Sequence, residues 1–128
     1  MAVTTTTEFG GTRRQVIRLQ SDAGVAEAAV KKVDVSTLTL DDGTAPSTVR
    51  IMNIEWDIIG FEGVQLLWDA TANVPIKTLS TQGSESSEKF GGIVNPKTSG
   101  YTGDILLTTL GETSGDTYDI RLEILLEV

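Results

Sequence analysis

Alternation of apolar and polar residues runs through most of the chain. In the closing run "GDTYDIRLEILLEV", Tyr118, Ile120, Leu122, Ile124, Leu126 and Val128 fall on one side. Asp119, Arg121, Glu123 and Glu127 fall on the other, with Leu125 out of pattern. Met52, Ile54, Trp56 and Ile58 share a face opposed by Asn53, Glu55 and Asp57, and Val64, Leu66 and Trp68 share another. A period of two with one dry and one wet face marks antiparallel strands laid on a common core. Runs of this kind are "RRQVIRLQ", "AAVKKVDVSTLTL", "STVRIMNIEWDII", "GVQLLWDA", "VPIKTLS", "EKFGGIV", "GDILLTTL" and the closing segment. Clusters such as "LDDGTAPS", "GFEG", "DATANVP", "TQGSESS", "NPKTSGYTG" and "GETSG" separate them as turns. About eight short runs rich in Val, Ile, Leu and Thr, with regular turn signals, predict an all-β fold: an antiparallel, jelly-roll-like β-sandwich.

Two segments depart from this rhythm. "DAGVAEAAVKK" is the only helix candidate, and its end merges into "VDVSTLTL". Residues 1–12, with four consecutive threonines and "EFGGT", read as an extended N-terminal arm that takes its order from a neighbour. The sandwich domain is expected over residues 13–128. Its closing run carries so many apolar residues that an exposed edge would invite aggregation, so an interior position in a sheet is expected.

At 128 residues the chain is long enough for one domain with a real core. It contains no cysteine and no histidine. Disulfides, thiolate chemistry, His-based triads and His or Cys metal sites are thereby excluded. No enzyme activity, no cofactor and no metal is expected. The net charge is −8, and it is unevenly spread: residues 1–32 sum to +2 and residues 33–128 to −10. So acidic a body repels phosphate backbones, and nucleic acid is not an expected partner. No apolar run approaches the ~18 residues of a membrane helix, and no secretory signal is visible. A soluble, cytoplasmic product is expected.

Each candidate for chemistry has a plainer reading. Asp41 and Asp42, with Asp104 or Asp116, offer oxygens for calcium, but "DDG" is also a hairpin turn and calcium wants six to eight ligands. Trp56 and Trp68 lie in phase with core residues, which argues against a sugar platform. "FGG" at 90–92 and the glycines at 10–11 lack the helix and lysine of a phosphate loop. Ser84, Ser86 and Ser87 have no base partner, and Glu85 and Glu88 read as a solvated tip. Arg13, Arg14 and Arg18 read either as a charged edge strand or as a surface that lies against an acidic neighbour.

The segments "VRIMNIEWDIIGFEGVQLLWDATANVPIKTLSTQG" and "GGIVNPKTSGYTGDILLTTLGETSGDTYDIRLEI" resemble small virion proteins of tailed bacteriophages, particularly marine and cyanobacterial ones. The likeness lies in overall texture and in the spacing of GDILLTT and GDTYDI. It implies a capsid decoration, or cement, protein on the outside of a head: a homotrimeric structural protein whose partner is the major capsid protein. Phe9 is the sole large apolar side chain in residues 4–12, so the contact would run through Phe9, Arg13 and Arg14. A tail, adaptor or fibre-attachment protein, or a carbohydrate-binding module, are the alternatives.

Overall fold

The structure, a computed structural model, describes residues 3–10 (backbone only), 14–21, 26–39, 43–113 and 115–127. Among these residues nine strands form two antiparallel sheets. One sheet holds β1 (Val3–Gly10), β2 (Arg14–Ser21), β9 (Thr117–Glu127), β4 (Thr48–Ile59) and β7 (Gln82–Ser86), in that spatial order. The other holds β3 (Val30–Val33), β8 (Ile105–Leu110), β5 (Gly63–Trp68) and β6 (Val74–Leu79). The pairings are nested: β5 with β6 innermost, then β4 with β7, β3 with β8, and β2 with β9. A single long hairpin has in effect been wound up, and β4–β9 and β5–β8 are the contacts that winding creates.

β9 occupies the position its pattern demands. It lies between β2 and β4, with both edges hydrogen-bonded. Tyr118, Ile120, Leu122, Ile124 and Leu126 are buried and the residues between them are not, while Val128 lies outside the described residues. They meet Ile17 and Leu19 of β2, Val49, Ile51, Ile54 and Ile58 of β4, and Val64, Leu66, Ile105 and Leu107 from the facing sheet in one core. Each such side chain contributes about 1.5–3 kcal/mol on burial, before ordering entropy is subtracted.

β4 is less regular than its letters suggest. Its register against β9 shifts between Ile51 and Asn53, which makes Met52 the extra residue of a β-bulge. Val49 and Ile51 therefore face the core from odd positions, and Ile54 and Ile58 from even ones. Met52, expected inward with Ile54, is buried outside that core, where a Cβ on Gly92 would come 2.7 Å from its sulfur.

Other expectations change as well. Val3–Gly10, expected as an arm, runs as the edge strand β1 along β2, so β2 itself is not an edge. The helix candidate forms no helix over its described residues, and "AAVKKVDVSTLTL" shrinks to the four residues of β3 and a 3-10 turn at Val35–Thr37. Asp34 caps that turn by accepting from Ser36 N at 3.0 Å, which competes with strand pairing. "EKFGGIV" is not a strand: Glu88–Phe90 form a 3-10 turn, Gly91 and Gly92 take φ of +78° and +92°, and only Ile93 bridges to Ile51. Ser84 to Ser86, read as loop, belong to β7 and pair with Asn53 to Glu55.

Candidate functional site

The outer face of the five-stranded sheet is a charged lattice built by alternation. Residues between the buried positions of β2, β4 and β9 point outward, which sets arginines of β2 diagonal to acids of β9: Arg18 lies opposite Arg121, and Arg14 opposite Leu125. Arg18 donates to Asp119 through Nε at 2.9 Å and Nη2 at 2.6 Å, a bidentate pair. That guanidinium holds the Asp119 carboxyl below the usual range. Arg14 donates through Nη1 to Glu88 at 2.7 Å and to Glu123 at 3.0 Å, and Asn53 also donates to Glu123. The Glu88 hydrogen bond raises the Arg14 guanidinium further still. Arg50 donates to Glu127 at 3.1 Å and to the Gly91 carbonyl at 3.1 Å. Two shallow grooves of about 270 and 250 Å³ cross this face and share Glu55 and Arg121.

Of the three residues expected at a partner contact, Phe9 and Arg14 stand on β1 and β2, at one margin of this sheet. Phe9 stands in β1 opposite Val16, next to a register shift after Thr7. Arg13 lies outside the described residues. Arg14 is tied to Glu88 and Glu123 of its own chain. Glu88 is exposed, as read, but is also an ion-pair partner, and Glu85 likewise meets Lys77 of β6 at 2.6 Å across the sandwich.

A second polar cluster lies at one end of the sandwich, where the sequence offered no signal. Glu27 and Lys32 form an ion pair with side chains only 9% and 6% exposed. Tyr118 donates its hydroxyl to Glu27, and burial together with that bond pushes the phenol well above its ordinary pKa. Ser21 Oγ lies 3.5 Å from Glu112 Oε2, a weak contact, while the buried Glu112 Oε1 has no hydrogen-bond partner. Burial first, and then the nearby Glu27 carboxylate, raise the Glu112 carboxyl above the usual range. Glu27 and Tyr118 are 91 positions apart, so no spacing rule links them.

The remaining candidates fall into place as structural parts. Asp104 accepts from Val35 N at 2.8 Å and pairs with Lys31 at 3.0 Å. Asp116 caps its own turn, accepting from Thr113 N at 2.8 Å and its hydroxyl at 3.1 Å. Asp41 and Asp42 lie outside the described residues, and among the described ones no group of three acids is arranged to hold a metal ion. Trp68 is core. Trp56 is half-buried at the open side of the sandwich, donating to the Ser80 carbonyl at 2.9 Å with Lys77 5.8 Å from its ring. No described helix is long and apolar enough to cross a membrane. No protein-family model matches the chain, and no curated protein matches it.

Proposed function

We propose that this protein is a non-enzymatic structural component of a tailed-phage virion, a decoration protein that binds the outside of the head as a homotrimer. The nested strand pairing carries the reading, because such winding is how a jelly roll is built, and that architecture recurs in shell-forming proteins. The resemblance of the chain's texture to small virion proteins points the same way. The major capsid protein is the proposed partner.

β1 supplies a means of attachment. Among the described strands it pairs with β2 alone, so its other edge offers backbone donors and acceptors to a neighbouring chain. Phe9 would anchor that contact, and Arg13 and Arg14 would meet acidic capsid surface. For Arg14 this means exchanging Glu88 or the part-buried Glu123 for a partner's carboxylate, and giving up the exposed Glu88 pair costs little. Binding should weaken as salt rises. Deleting residues 2–12 and adding the variant to undecorated heads tests this: loss of binding is expected. Full binding by the truncated protein would move the contact to the sandwich.

A further inference from the structure

Phe90 is the most exposed large apolar residue among those described, at 86% of its full accessibility. It stands on a turn fixed at many points. Phe90 N and Gly92 N donate to the Ser87 carbonyl at 3.0 and 2.8 Å, and Ser87 N donates to the Met52 carbonyl at 2.7 Å. Ile51 and Ile93 exchange backbone bonds at 3.1 and 2.8 Å. Arg14 holds Glu88 on one side and Arg50 holds the Gly91 carbonyl on the other. Because the backbone of the turn is already fixed, association would have only the Phe90 side chain left to order, which suits it to be an interface anchor.

The same chain carries a fitting recess. A mostly apolar cleft of about 470 Å³ lies between Thr71, Ala72, Val74 and Pro75 on one wall and Thr98 and Ser99 on the other. A cavity of roughly 150 Å³ already accepts benzene, so a benzyl side chain fits with room for its turn. The nearest charges are of opposite sign: Lys89 adjoins Phe90 and is exposed, while Asp69 precedes the cleft by two residues.

We infer that Phe90 of one copy inserts between Val74–Pro75 and Thr98–Ser99 of the next, forming a heterologous contact between copies of this chain. The inference rests on the homo-oligomer reading above and names its interface. A knob and a socket on different surface patches repeat head to tail, and such a contact closes into a ring when the rotation per copy permits.

The test is sedimentation analysis of the full chain at micromolar concentrations, with Phe90→Ser and Ala72→Arg variants. Both positions are exposed, so circular dichroism should stay native. Each variant alone should lose assembly by about 30-fold or more, as hot-spot truncations do. Mixed together, they retain one intact knob and one intact socket, and should form a heterodimer that grows no further. A wild-type chain that stays monomeric would overturn the contact, as would either variant assembling like wild type, or a mixture that forms nothing. Loss of assembly in Phe90→Ser with capsid binding retained would separate this contact from the attachment through β1.

Discussion

Replacing Glu112 by Gln should make the protein more stable at neutral pH. Glu112 is only 4% exposed, one of its oxygens has no partner, and the other has a single contact at 3.5 Å. Burial raises its carboxyl pKa, and the Glu27 carboxylate adds to the effect. The folded-state pKa thus exceeds the unfolded one. The stability contributed by the bound proton is fully present below the ordinary Glu value of ~4.3, and it is lost as pH rises through the raised folded value. Above the raised value the carboxylate is a charge with one incompletely solvated oxygen, and leaving a buried polar atom unsatisfied costs about 1–3 kcal/mol. Gln keeps the shape and removes the charge, but its amide occupies the same unpartnered position, so the gain at pH 7 comes only from relieving the buried charge and its repulsion with Glu27 and is expected to be about 1 kcal/mol. For a domain of this size it corresponds to about 3–5 °C in Tm per kcal/mol. The difference should shrink toward zero by pH 4. Asp119 and Asp34, whose carboxyls are held low by Arg18 and Ser36, give the opposite trend, stabilising above their unfolded pKa and losing that as pH falls. They are common to both proteins and cancel in the difference. Denaturant melts of the two proteins from pH 4 to 8 make the measurement. A variant that is less stable at pH 7, or a difference that does not change with pH, would refute the reasoning.

Leu122→Ala removes a fully buried side chain from the centre of β9 and should cost about 2–5 kcal/mol by guanidinium unfolding, a large part of a typical total of ~5–15 kcal/mol. Gly103→Ala should be more damaging than Gly111→Ala. Both glycines have positive φ (+87° and +86°), but a Cβ at Gly103 would overlap the Ser47 carbonyl oxygen, whereas none within 4 Å opposes one at Gly111; thermal melts of the pair separate crowding from backbone strain.

How legible each element was depended on whether its own letters or its neighbours hold it in place. β9 could be read because its alternation is broken only at Leu125 and its burial follows the pattern residue by residue. β4 could be read as a strand, but the bulge at Met52 reverses its phase, and an apolar residue on either face looks the same in sequence. β7 and β1 could not be read. "QGSES" and "VTTTTEFG" carry little apolar patterning, and both are edge strands held by backbone pairing to β4 and β2. "EKFGGIV" misled in the other direction, since two glycines at positive φ turn the chain where an apolar run suggested extension. The polar cluster of Glu27, Lys32, Glu112 and Tyr118 is assembled by the winding of the chain, so it becomes visible only once the sheets are paired.

The place of β9 also sets a timetable for biosynthesis. β2 and β4 leave the ribosome long before residues 117–127, yet in the finished sheet they never touch each other except through β9. Until that segment emerges, the apolar sides of Ile17, Leu19, Ile51 and Ile54 belong to strands without their shared partner. The sheet's centre is therefore completed late, through pairings of high sequence separation, and such topologies fold slowly. A nascent chain stalled before residue 117 should remain protease-sensitive and should engage chaperones that bind exposed apolar segments.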